Sequence, residues 1–334
     1  MKRVSILLSA FLVLIFGAGQ AIADTRAVYT ISNIPVDKTA ASTREAEAQA
    51  FASAKVQGLY RLMEKLTLPE DRARLGDSFY SYANANEMTA AVDVDDERRS
   101  TTVYRANLSV VYNPIRVRAQ LEQWGVPYID RQASVTLLAP ASGGAAWADA
   151  WPEQNSGALS PYVKGRSTSS SAGWSELAGE ASSVGARNAV IASLNGSEGA
   201  YSVQLTRVTS AGNTAIGTTG TVETLSDAVD AATAYMDAAW KRQSVIRGSD
   251  GQTSANATVR YSSLRSWNGV RSALSNSPLV SGLQVNAVAR NGALVSFVFA
   301  GSQDRLETDL GQSGVVLSQS ASGWVLQLAG DRSF

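Results

Sequence analysis

The stretch Leu283-Gln284-Val285-Asn286-Ala287-Val288-Ala289-Arg290-Asn291-Gly292-Ala293-Leu294-Val295-Ser296-Phe297-Val298-Phe299-Ala300 decides the fold class. Two β-rich runs, 283–289 and 293–300, flank Asn291-Gly292, a dipeptide that readily supplies the positive-φ residues of a tight hairpin turn. The spacing therefore predicts an antiparallel pair. Upstream, Val259 and Tyr261 mark a strand, and Leu264, Trp267, Val270 and Leu274 recur at helical spacing before Pro278. Downstream, Leu306 and Leu310 belong to a helix closed by Gly311, and residues 315–317 and 324–328 read as a final pair of strands. The order β-α-β-β-α-β predicts a split-βαβ, ferredoxin-like module over residues 255–334.

Working back along the chain, residues 24–131 read as a β-α-β-β-α module. Its first strand spans Ala27, Tyr29 and Ile31 and is closed by Pro35. A long helix follows, opened by Ser42 and Glu45 in capping-box spacing and striped by Ala46, Ala50, Ala54, Gly58, Leu62 and Leu66. Small residues in that stripe let a backbone approach a sheet. A hairpin comes next, with Ala90, Val92 and Val94 on one strand and Tyr104, Ala106, Leu108, Val110 and Tyr112 on the other. Residues 95–99 are expected to form its turn. Asn113-Pro114 then opens a short helix that Gly125 ends.

Residues 132–248 read as a β-α-β-β-β-α module with a Gly/Ser-rich insertion at 141–171. Its meander strands, 189–194, 201–208 and 214–222, are expected to turn at Asn195-Gly196 and Gly212-Asn213, and Ser226 is expected to cap the last helix. Residues 249–254 read as a flexible linker. The fold class expected is thus α+β, as several small modules of antiparallel sheet with helices on one face.

Residues 1–23 read as a signal peptide: Lys2 and Arg3, an apolar run at 6–16, and Ala21-Ile22-Ala23, with cleavage expected after Ala23. The apolar run is shorter than the roughly 20 residues a membrane span needs. No cysteine follows it, which excludes a lipid-modified cysteine, so the chain is expected in the periplasm and not as a lipoprotein.

The chain holds 29 Lys+Arg and 29 Asp+Glu, with no histidine and no cysteine. Histidine- and cysteine-dependent triads are therefore excluded, and so are the usual zinc, iron–sulfur and haem sites. The balanced, scattered charge gives no footprint for nucleic acid. No cofactor is expected. Two weak site candidates remain. Asp93, Asp95, Asp96 and Glu97 offer carboxylates to a calcium ion, but without the spacing or glycine of an EF-hand loop. Trp147 and Trp151, four apart, are possible interaction aromatics if exposed, and core residues if not. Glu180 and Glu223 come nearest to a carboxylate pair for hydrolysis, and neither stands in an apolar surround.

The run Tyr29-Thr30-Ile31-Ser32-Asn33-Ile34-Pro35-Val36-Asp37, the Ala-stepped helix, Tyr104-Arg105-Ala106-Asn107-Leu108 and Trp124-Gly125-Val126-Pro127-Tyr128 carry a family likeness. With Trp267, Pro278-Leu279-Val280 and Trp324-Val325-Leu326, they resemble the exported proteobacterial DUF-2066 family, a domain of unknown function. The resemblance implies a bacterial envelope protein and offers no catalytic residue. Residues 189–194, 201–205 and the closing helix more weakly resemble the amino-terminal domain of the Tol translocation protein and the lipoprotein activators of peptidoglycan synthases, which bind other proteins. The expectation is a non-enzymatic periplasmic adaptor that binds envelope proteins. The alternatives are a carboxylate-dependent peptidoglycan hydrolase and a binder of small or lipidic ligands.

Overall fold

The computed structural model describes residues 25–247, 250–320 and 323–331; the expected signal segment and part of the expected linker lie outside the described residues. The first module contains α1 (Thr25–Val28), β1 (Thr30–Thr39), α2 (Thr43–Leu66), α3 (Pro69–Arg72), a 3-10 turn (Asp77–Tyr80), α4 (Tyr82–Met88), β2 (Thr89–Arg99), β3 (Val103–Tyr112) and α5 (Pro114–Gln123). Its antiparallel sheet has the order β1-β3-β2. The Ser42 hydroxyl accepts from Glu45 N, and the predicted stripe of α2 is the buried one. At Gly58 the helix comes so close to β3 that a Cβ would lie 2.6 Å from the Tyr112 hydroxyl.

Two expectations fail here for one physical reason, the tolerance of edge strands. Pro35 does not close β1; it pairs with Asn107 within it. On an edge the missing N–H costs no ladder bond, and Asn33, at φ 55°, takes up the bulge. Residues 95–99 do not form the hairpin turn either. Asp95 pairs with Asn107 and Arg99 with Tyr104, and the turn sits at Thr101-Thr102, closed by Ser100 N donating to Val103 O.

The middle module contains β4 (Thr136–Ala141), α6 (Gly144–Ala150), β5 (Tyr162–Lys164), α7 (Trp174–Ser183), β6 (Ala189–Ser197), β7 (Ala200–Thr209), β8 (Gly212–Thr218) and α8 (Leu225–Ser244). The sheet order is β5-β4-β6-β7-β8. β4 runs parallel to β5 and β6, so this sheet is mixed. Both faces are covered. Leu138 and Val190 pack with Trp147 and Met236 on one side, while Leu137 and Ile191 pack with Leu177 on the other. Turns fall at Glu198-Gly199 and Ser210-Ala211, because the expected turn residues Asn195-Gly196 and Gly212-Asn213 pair within the strands. Thr224 rather than Ser226 caps α8.

The third module contains β9 (Gln252–Arg260), α9 (Leu264–Asn276), β10 (Val280–Val288), β11 (Gly292–Ala300), α10 (Gln303–Gln312), β12 (Val315–Ser320) and β13 (Gly323–Leu328). The expected linker is therefore strand from Gln252 onward, and Asp250 is tied to Arg247 and Arg305. The sheet order is β10-β11-β9-β13-β12. The split-βαβ part is as predicted, with β11 between β10 and β9. The last strand, β13, inserts parallel to β9, which departs from the simple ferredoxin-like order. The turn between β10 and β11 centres on Arg290-Asn291, one residue earlier than expected, with Ala289 N donating to Gly292 O. The first and third modules share the order first-third-second for their first three strands. The fold class is α+β.

The modules are packed, not strung. Leu159 and Trp240 of the middle module sit in the first module's core, and Trp240 Nε1 donates to Arg131 O at 2.8 Å.

Candidate functional site

The sequence-predicted residues do not assemble into a site. Asp93, Asp95, Asp96 and Glu97 lie on the exposed edge strand β2. Glu97 pairs with Arg99 at 2.6 Å, and that hydrogen bond holds its carboxyl below the usual range. Among the described residues no group of three or more Asp or Glu side chains could hold a metal ion. Glu180 is used by Arg166, whose backbone N–H donates to it at 3.0 Å, and Glu223 is exposed.

Trp147 and Trp151 are corrected from interaction aromatics to core. They are 0% and 1% exposed, because α6 is wedged between the sheet and α8. Trp147 meets Trp151 edge-on at 5.2 Å, Trp151 meets Tyr162 at 5.5 Å, and Trp147 Nε1 donates to Ala192 O.

Buried charge concentrates instead where the first and middle modules meet. The Asp237 carboxylate accepts from Ser160 N at 2.7 Å and Leu159 N at 3.3 Å, and burial pushes its pKa up. Lys65 donates to Ala27 O at 3.1 Å, and burial lowers its pKa to about 8. Lys241, also lowered by burial, donates to Glu64 O at 2.7 Å and Thr67 O at 3.0 Å. A lysine of lowered pKa is a potential nucleophile. Both amines here are held on backbone carbonyls, so the arrangement clamps chain to chain.

The accessible feature is the end of the third module where the β10–β11 hairpin turns. Leu264 is 76% exposed, Val288 63%, Leu294 51% and Val285 43%, against single exposed apolar residues elsewhere. Register puts Val285 and Val288 on one face of the sheet, opposite Val295 and Ala293, and Leu294 on the other face, opposite Ala287. Leu294 lies opposite Thr258 on β9, and Val288 is paired with Ala293. Tyr261, three residues before Leu264, donates its hydroxyl to Ala289 O at 2.6 Å, which ties the start of α9 to the hairpin tip. Arg260, Arg265 and Arg290 rim this end, all exposed and none in an ion pair among the described residues. Sequence reasoning missed these residues because they occupy ordinary apolar positions of a helix and two strands; their exposure follows from β10 being an edge strand, from the open face of β11 and from the start of α9.

Three of the edge strands, β1, β2 and β10, are blunted. β1 carries Pro35 and a bulge, β2 carries charges and two register shifts, and β10 has shifts between Ser281 and Gln284 and between Val285 and Ala287. Such edges resist strand addition. Among the described residues no helix is long and apolar enough to cross a membrane. No family model, curated protein or solved structure matches this chain.

Proposed function

We propose that the protein is a non-enzymatic scaffold of the bacterial envelope that docks an acidic, amphipathic segment of another envelope protein on the end of its third module. The observation that carries this reading is the set of exposed apolar residues Leu264, Val285 and Val288 at the end of the module that also carries the unpaired Arg260, Arg265 and Arg290. Exposed apolar residues in contiguous groups mark contact surfaces, and arginine is enriched at such surfaces. The three cations select a partner of opposite charge and set the salt dependence of encounter. Export rests on the signal-like residues 1–23 and on the resemblance to the DUF-2066 family.

A photo-crosslinker placed at Val285 or Val288 of the full chain in its native cells tests the proposal. The expected result is one discrete protein adduct that falls at least about fivefold in R260E/R290E and weakens with salt. An adduct insensitive to that charge reversal overturns the reading. So does the absence of any adduct, or flotation of the purified chain with anionic vesicles, which would assign the patch to lipid.

A further inference from the structure

Arg207 stands on β7 between Val190 of β6 and Thr214 of β8. Arg207 lines a cavity at the junction of the middle and third modules, with Thr136, Ser160, Asn188, Met236 and Gln312 around it. The other polar groups are already engaged. The Thr136 hydroxyl donates to Asn188, Asn188 Nδ2 donates to Gln312 O at 2.9 Å, and Ser160 Oγ donates to Met236 O at 3.2 Å. Arg207 has no ion pair and no side-chain hydrogen bond among the described residues. Desolvation alone acts on it and pulls its pKa down, with no carboxylate to offset the burial.

A second donor nearby is also unmatched. Gln243, one turn beyond the cavity-lining Ala239 on α8, accepts from Gln312 through Oε1 and leaves a buried Nε2 without a partner. Both unmet groups are donors, so the junction is short of acceptors. A desolvated guanidinium is costly unless paired, and a carboxylate matches its planar fork with two parallel hydrogen bonds. The cavity is small, about 20 Å³, room for a body the size of one water molecule, and it is partly open. A single carboxylate oxygen is of that size, and the rest of its molecule would lie outside the cavity.

We propose that this cavity is a binding site for a carboxylate group, held by Arg207 at the seam between the middle and third modules. The carboxylate is either a free small acid or the C-terminus of a peptide. Because α10 supplies Gln312 to the wall, occupancy reports on the seam as well as on the pocket. The site is separate from the arginine-rimmed end of the third module, and the two readings stand or fall independently.

The test replaces sodium chloride by sodium acetate at constant ionic strength while thermal unfolding of the full chain is followed. A peptide with a free C-terminal carboxylate, against its amide, forms the second arm. The expected result is a saturable rise in Tm for the wild type and loss of that rise in R207Q. Response to acetate assigns a free acid, and response to the free-terminus peptide alone assigns a peptide end. Should R207Q fail to fold, the Arg207 Nε–Hε resonance, assigned from R207K, is expected to shift saturably with the responding probe. No response to either probe, or an equal response in R207Q, overturns the proposal.

Discussion

Asp309 lies on the inner side of α10 and is 5% exposed; burial, partly offset by the Ser277 hydroxyl and Arg305, pushes its carboxyl up to about 6. A carboxyl raised in the folded state binds a proton that the unfolded chain has already released. Stability therefore falls as pH rises from about 4 to 6, and the whole penalty is present above that window. A rise of that size is worth roughly 2–3 kcal/mol at most. Asp309→Asn keeps the shape and removes the charge. It is expected to stabilise the protein by about 1–2 kcal/mol at pH 7.5, with the gain vanishing near pH 4. Thermal melts of both proteins across pH 4–8 check this, and a gain that does not shrink on acidification would show that the carboxylate carries no penalty.

Helix α2 and strand β3 are joined through a position where two tendencies oppose each other. Alanine at Gly58 would favour the helix by about 1 kcal/mol. Its Cβ would also stand 2.6 Å from the Tyr112 hydroxyl and 3.2 Å from the Ile34 Cδ1, and that hydroxyl donates to Lys55 O. Overpacking costs about 1–3 kcal/mol, so Gly58→Ala is expected to destabilise on balance, and Gly58→Ala with Tyr112→Phe to recover part of the loss. Chemical denaturation of the two variants decides it; a stabilising Gly58→Ala would mean that the strand yields. The same contact explains what is legible at this scale. The stripe of α2 and the caps at Ser42 and Asn113 follow from local chemistry, and each is where the residues place it. The turns of the middle module are not legible in this way, because Asn-Gly and Gly-Asn also serve inside strands. A Cβ at Gly196 would run into Ala200 O, so that glycine is needed by a close approach of two strands. β5 and α4 carry no periodicity long enough to read; β5 is three residues held by β4. The acidic run and the tryptophans are visible as residues, but their exposure depends on an edge strand and a wedged helix. The arginine-rimmed patch leaves no signal at all in the pattern of any one element.

At the scale of the whole molecule, the three modules are fastened by a repeated device: a donor from one module seated on the C-terminus of another module's helix. Lys241 of α8 sits on Glu64 O and Thr67 O at the end of α2. Arg131 donates to Ser277 O beyond α9, Arg187 to Ser313 O beyond α10, and Asn188 to the last residue of α10. Arg305 of α10 makes the fullest contact, with Nε and Nη2 on Gln243 O, Nη2 on Val245 O and Nη1 on Asp250, at 2.7–3.1 Å. Helix C-termini present unpaired carbonyls and the negative end of the dipole, so cations there serve cohesion as well as capping. The consequence is that the modules should unfold as one unit, and that cutting a single fastener should separate them. Arg305→Met removes four charge-assisted contacts and is expected to cost about 2–4 kcal/mol, concentrated at the seam of the third module. Calorimetry of the wild type is expected to give one transition and Arg305→Met two, the lower belonging to residues 250–331. Asp250→Asn, which leaves the contacts to Gln243 and Val245 in place, should retain a single transition. A single, nearly unshifted transition in Arg305→Met would mean that packing around Trp240 and Leu159, not the capped helix ends, unites the molecule.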